Sequence, residues 1–162
     1  VVVFLRPLGL RLHRGPNIVT SLELDPAEME KRNIHLQQKY AEIEEKEVRY
    51  EEIHCDDAEY LIVAFGSCAR IAQKAMEEAR AEGIKVGLLR PITLWPFPSK
   101  AIAERSRQVK GILTVELNAG QMVEDVRLAV ECKVPVEYFG RLGGIVPDPD
   151  EVVTALKEKI IK

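Results

Sequence analysis

The chain has 162 residues, 46% of them hydrophobic, and a formal net charge of −3 with a pI near 5.7. That suits one domain with a real core plus extensions, and it gives no electrostatic case for nucleic acid or an anionic membrane. No apolar run is long enough to span a bilayer. Cys55, Cys68 and Cys132 stand far apart with no CxxC pair, so no zinc or iron–sulfur site is indicated and a reducing cytoplasm is favoured over secretion.

Residues 1–16 are atypical. Val1-Val2-Val3-Phe4 is apolar, and Arg6, Arg11 and Arg14 follow without an acid before Pro16. A signal peptide places its positive charge ahead of the apolar stretch, not behind it. The segment therefore reads as a tag, junction or remnant on a fragment, a processed product or an engineered piece, with a short strand over Val1–Phe4 as the alternative.

Residues 17–57 read as an acidic linker helix and an edge strand. Ile18 to Leu22 is β-like. Asp25-Pro26-Ala27-Glu28 predicts a helix start, with Asp25 as N-cap, Pro26 at the first helical position and Glu28 completing a capping box. The helix should run to about Glu45, with a narrow apolar stripe of Met29, Leu36, Tyr40 and Ile43. Eleven acids face five Lys and Arg between Asp25 and Asp57, which reads as a solvated face or as an arm packed on another domain. Lys46 to Ile53 alternates polar and apolar residues, as a half-exposed edge strand would.

Residues 58–162 read as an α/β domain. Tyr60 to Phe65 is a continuous apolar run, as in a strand buried on both faces. Gly66 permits a sharp turn, and Ser67 is a suitable N-cap for a helix through Glu82 that Gly83 ends. Ile84 to Leu89 is the next strand, so this is a right-handed βαβ unit. Arg90 to Pro98 holds three prolines, and its aromatics Trp95 and Phe97 would pin it to the domain or to a partner. Ser99 is expected to cap a helix through about Gln108. Ile112 to Leu117 is a third core strand, Asn118 to Gln121 a turn, and Met122 to Val130 a helix. Val134 to Phe139 is the last strand, with Pro135 marking an edge. Asp148-Pro149-Asp150-Glu151 then repeats the cap signature of Asp25 ahead of a terminal helix. The expected fold is a three-layer α/β/α sandwich whose mostly parallel sheet has one antiparallel edge strand.

Chemistry is sparse. No acid–base pair, nucleophile–histidine pair or metal spacing is present. His13, His35 and His54 lie in the extension and linker. Ligands in open α/β sheets bind at the carboxyl ends of strands, which makes Ser67, Arg90, Glu116, Asn118 and Gln121 candidates for ligand or interface contacts, against ordinary loop polarity. Cys68, beside a helix start, is either a stabilised thiolate or an inert buried thiol.

Four stretches carry a family resemblance. They are Ile18 to Tyr40, the LWPFP run within Arg90–Pro98, Glu116 to Arg127 (ELNAGQMVEDVR) and Gly140-Arg141-Leu142-Gly143-Gly144. Together they resemble the α subunit of 2-oxoacid:ferredoxin oxidoreductases, most closely the 2-ketoisovalerate (branched-chain) type, over about Asn17 to Lys162. The resemblance implies the second domain of that subunit, with the fold of a transketolase C-terminal domain. It implies a complex that decarboxylates a 2-oxoacid on thiamine diphosphate with Mg, transfers the acyl group to coenzyme A and reduces ferredoxin through iron–sulfur clusters. Its partners would be a thiamine-binding β subunit and a ferredoxin-like subunit, with a homodimer as another arrangement. No family catalytic or cofactor-binding residue carries over onto this sequence, so the chain is expected to serve assembly and to be inactive alone. The alternative is a free-standing α/β ligand-binding or regulatory module.

Overall fold

The computed structural model describes residues 2–5, 17–20 and 22–161, with side chains described from Leu22 onward. His13 and the junction expected over residues 6–16 lie outside these residues. The chain divides into two compact units, Val1–Glu42 and Ile43–Lys162.

In the first unit, β1 (Val2–Leu5) and β2 (Asn17–Thr20) form an antiparallel pair with Val2 opposite Thr20. Helix α1 (Pro26–Lys46) begins where the Asp-Pro signature places it, and it continues across the unit boundary. The Asp25 carboxylate accepts from the backbone N–H of Ala27 at 2.8 Å and of Glu28 at 3.3 Å, which fills two orphan donors. Glu28 is salt-bridged to Lys31 at 2.6 Å. No residue of α1 is fully buried; Met29, Leu36 and Ile43 are half-buried, whereas Tyr40 is exposed.

The second unit is a five-stranded sheet. It contains β3 (Tyr50–Ile53), β4 (Tyr60–Ala64), β5 (Val86–Pro91), β6 (Ile112–Glu116) and β7 (Val136–Gly140), in the order β3-β5-β4-β6-β7. Only β3 runs antiparallel, with Tyr50 opposite Pro91 and Ile53 opposite Leu88; the other three pairings are parallel. Helices α2 (Gly66–Ala81) and α5 (Pro149–Leu156) pack on one face, and α3 (Ser99–Arg105) and α4 (Met122–Val130) on the other. This is the three-layer α/β/α sandwich that the sequence predicts. A π-helical turn, Lys157–Ile161, closes the chain.

The pleat divides each central strand between two cores. Ile62, Leu88, Leu113 and Val115 point toward α2 and α5, whereas Leu61, Val63, Leu89 and Ile112 point toward α3 and α4. All eight are at most 1% exposed, and each such side chain contributes roughly 1.5–3 kcal/mol of burial. Small residues Ala69, Ala72, Ala75 and Ala79 form the inner stripe of α2, letting it sit close to the sheet.

Three local expectations are corrected. Gly66 adopts φ +56° and is itself the first residue of α2, so the cap position falls on Phe65 and Ser67 is not an N-cap. Likewise Ser99 is the first residue of α3, behind Pro98. Helix α3 also stops at Arg105 rather than near Gln108, because the N–H groups of Arg107 and Gln108 donate three residues back, to Glu104 and Arg105, tightening the chain into turns. No helix among the described residues is long and apolar enough to cross a membrane.

Candidate functional site

The loops after β4, β5, β6 and β7 all leave the same edge of the sheet, where the sequence gathers its candidates. The structure brings three of them together. Glu116, the last residue of β6, is fully buried, an unusual state for a carboxylate. It is matched by donors: the backbone N–H groups of Gln121 at 3.2 Å, Met122 at 2.8 Å and Val123 at 2.9 Å, and the Asn118 side-chain amide at 3.1 Å. The helix start of α4 is therefore capped from the end of the neighbouring strand, and the negative charge lies against the positive end of the helix dipole.

The turn between them is folded on itself. The Asn118 carboxamide oxygen accepts from Gly120 N–H at 2.7 Å, and the Asn118 carbonyl accepts from the Tyr138 hydroxyl. Burial, with the nearby Glu116 charge, pushes the Tyr138 phenol up. Gly140 ends β7 beside this knot. A Cβ there would collide with the Tyr138 hydroxyl and would lie 2.8 Å from the Glu116 carbonyl, so only glycine fits. Gln121 projects into solvent; its part in the knot is its backbone N–H.

The remaining candidates stand apart from the knot. Ser67 is exposed in the first turn of α2, where no side chain caps the helix. Arg90 is tied across the sheet to Glu51 of β3 at 2.9 Å. Cys68 is buried, and burial followed by the Glu116 charge pushes its thiol up, the opposite of a reactive thiolate. Cys55 is buried in the other core and is pushed up to about 11, mainly by burial and then by Glu52.

Two features of this edge escape a reading by residue type. The proline-rich loop is fastened from within: Ile92 and Thr93 donate to the Arg49 carbonyl at 2.9 and 3.1 Å, and the Thr93 hydroxyl donates to the Pro96 carbonyl at 2.8 Å. Trp95–Pro96 is cis, Pro96 and Pro98 are buried, and Phe97 packs against the core. Trp95, by contrast, is 54% exposed. Exposed apolar side chains also collect here: Tyr50, Ile92, Leu94, Leu117, Leu142, Ile145 and Val146 lie at this edge, and Leu128 is the exception within the second unit's described residues.

The described residues do not fit an iron–sulfur cluster or a cofactor held by a metal. An iron–sulfur cluster needs converging thiolates, yet Cys55 and Cys68 lie in cores on opposite faces of the sheet and Cys132 is exposed. Thiamine diphosphate is held through a bound Mg, and among the described residues no group of three His, Cys, Asp or Glu could hold a metal. The helix start of α4 already holds an anion in Glu116.

Comparison with known proteins agrees with this geometry. The model of pyruvate:ferredoxin oxidoreductase core domain II matches residues 58–152. The ketoisovalerate oxidoreductase subunit VorB of Methanothermobacter thermautotrophicus is 51% identical over 142 residues, which are 88% of this chain and 40% of that subunit. The chain thus spans about two fifths of the length of that relative. Among solved structures, a 2-oxoglutarate:ferredoxin oxidoreductase from Magnetococcus marinus superposes with a TM-score of 0.72 at 24% identity, covering 84% of this chain and 24% of that one. A split-gene transketolase in an inactive β4 tetramer superposes at 0.60 and 22% identity, covering 68% of this chain and 40% of that one. Both share the fold. The chain belongs to the pyruvate:ferredoxin oxidoreductase core domain II family.

Proposed function

We propose that this chain is the second domain of a subunit of a thiamine-diphosphate-dependent 2-oxoacid:ferredoxin oxidoreductase, that it serves assembly rather than chemistry, and that 2-ketoisovalerate is the 2-oxoacid. Residues 58–162 are the domain proper, and residues 17–57 are the linker helix and edge strand that lead into it. The observation that carries the reading is the knot around Glu116. The Glu116 carboxylate, the Asn118 side chain and the backbone N–H groups of Gly120 to Val123 are spent on one another. The choice of substrate rests on the 51% identity to a ketoisovalerate oxidoreductase subunit. Thiamine diphosphate, Mg and the iron–sulfur clusters then sit on other parts of a cytoplasmic complex, on a thiamine-binding subunit and a ferredoxin-like subunit. Ser67, Arg90, Asn118 and Gln121 act, if anywhere, at contacts within that complex.

The test is a domain replacement. This chain is substituted for the matching two fifths of the Methanothermobacter subunit, and 2-oxoacid-dependent, coenzyme A-dependent reduction of an electron acceptor is measured. Turnover by the hybrid complex, with none from the isolated chain, is expected. Turnover by the isolated chain would overturn the assembly role; a folded, assembled hybrid that is inert toward every 2-oxoacid would overturn the family function.

A further inference from the structure

We infer that the carboxyl edge of the sheet, through Ile92, Leu94, Trp95, Leu142, Ile145 and Val146, is the seat for an apolar protein face belonging to the remainder of the same subunit, an inference resting on the domain reading above. These six side chains are between 46% and 61% exposed. They sit in the loops that leave β5 and β7, three strand spacings apart in the sheet order. At about 4.8 Å per spacing the two loops are about 14 Å apart, so one flat surface reaches both. Exposed apolar residues gathered at one edge in this way mark a contact surface rather than scattered surface chance.

The chemistry of the occupant follows from what surrounds the patch. Two cations at this edge are neutralised, Arg90 by Glu51 at 2.9 Å and Arg141 by Glu151. The start of α4 is filled by Glu116. An apolar face can cover these six side chains without unpairing either cation.

Other approaches to the sheet are closed. Helices cover both faces. Along the outer edge of β7 the carbonyls of Val136 and Tyr138 accept from Arg127 and Lys159, at 3.2 and 2.7 Å. On β3, Glu51 and Glu52 are held by Arg90 and Arg105; strand addition at either edge is thereby blunted. The remainder of the subunit is chosen as occupant because a relative 51% identical carries this sequence on 40% of its length, leaving three fifths of its polypeptide to be placed against it.

The experiment uses the hybrid Methanothermobacter subunit in its complex. A photoreactive benzoylphenylalanine replaces Trp95, Leu142 or Leu128 in turn; Leu128 is 79% exposed on α4 and lies away from the patch. Crosslinks from positions 95 and 142 into the rest of the same polypeptide, absent from 128, are expected. Crosslinks from 95 and 142 only to a second copy or to another subunit, or none at all, overturn the inference. Turnover measured on the same samples separates the two readings: an active hybrid without these crosslinks removes the docking surface and leaves the function, and crosslinks in a hybrid inert toward 2-oxoacids do the reverse. Should the hybrid fail to assemble, the photoreactive residue goes into the unmodified relative at the aligned positions, where the same outcomes decide.

Discussion

The two ends of the parallel strands are built from opposite materials. At the amino ends the residues just outside the sheet are charged and paired with one another. Glu59 meets Lys110 at 2.5 Å and Lys85 at 3.8 Å, Asp57 meets Arg80 at 2.6 Å, and Glu131 meets Lys133 at 2.7 Å. At the carboxyl ends one carboxylate, Glu116, is buried and apolar side chains face out. On the docking inference, the contrast separates an end that stays wet from an end that is covered.

The largest expected effect of breaking the contrast is at Glu116. Glu116→Ala leaves three backbone N–H groups and an amide buried without an acceptor, and unfolding in urea should show a loss of about 3–5 kcal/mol. Glu116→Gln keeps one acceptor and should lose roughly half as much. Two residues earlier, the buried Thr114 hydroxyl has no hydrogen-bond partner. Thr114→Val should therefore stabilise by about 1 kcal/mol in the same assay.

Smaller effects should follow the charges. Arg141 holds the Glu151 carboxyl below its ordinary value of 4.5. A depressed native value means that the pair's stabilisation is complete above pH 4.5 and is lost as pH falls through the lower native value. The Tm difference between the parent chain and Arg141→Gln should accordingly be present at pH 6 and close as the pH drops below about 4. At the other end, Glu59→Gln removes the shared partner of Lys85 and Lys110. It should lower Tm slightly, and 1 M salt should erase the difference, because exposed pairs are screened. Smallest of all, Trp95→Glu and Leu142→Glu should leave the stability of the isolated chain within about 0.5 kcal/mol, since neither side chain is buried there. A large loss from either would mean that these residues belong to the core.

Much of this could be read in the sequence, and the gaps have physical causes. The continuous apolar runs at Tyr60 and Ile112, and the helical alanine spacing after Gly66, dictated the buried strands and the α2 face, because burial on both sides leaves no alternation to misread. Asp25 was legible as a cap because Pro26 fixes the register of the first turn. Ser67 and Ser99 were not, because a positive-φ glycine and a proline moved the helix starts one or two residues earlier. Glu116 was legible as special but not as to its role, since its partners are backbone groups five to seven residues on. A trace of that role lay in α4 lacking a capping side chain of its own at Gln121. The Leu142–Val146 half of the apolar edge was illegible, because nothing in that run distinguishes an exposed leucine from a buried one until the sheet positions it; the Trp95 loop was already legible as a contact to the domain or to a partner.

Hydrogen exchange at the two ends of the sheet tests the account most directly. It is measured in the isolated chain and again in the hybrid subunit within its complex. The segments Ile92–Trp95 and Leu142–Val146 should slow by about ten-fold or more on assembly, while Asp57–Glu59 and Glu131–Lys133 exchange at unchanged rates. Protection at the charged end, with the apolar loops still exchanging freely, would contradict it.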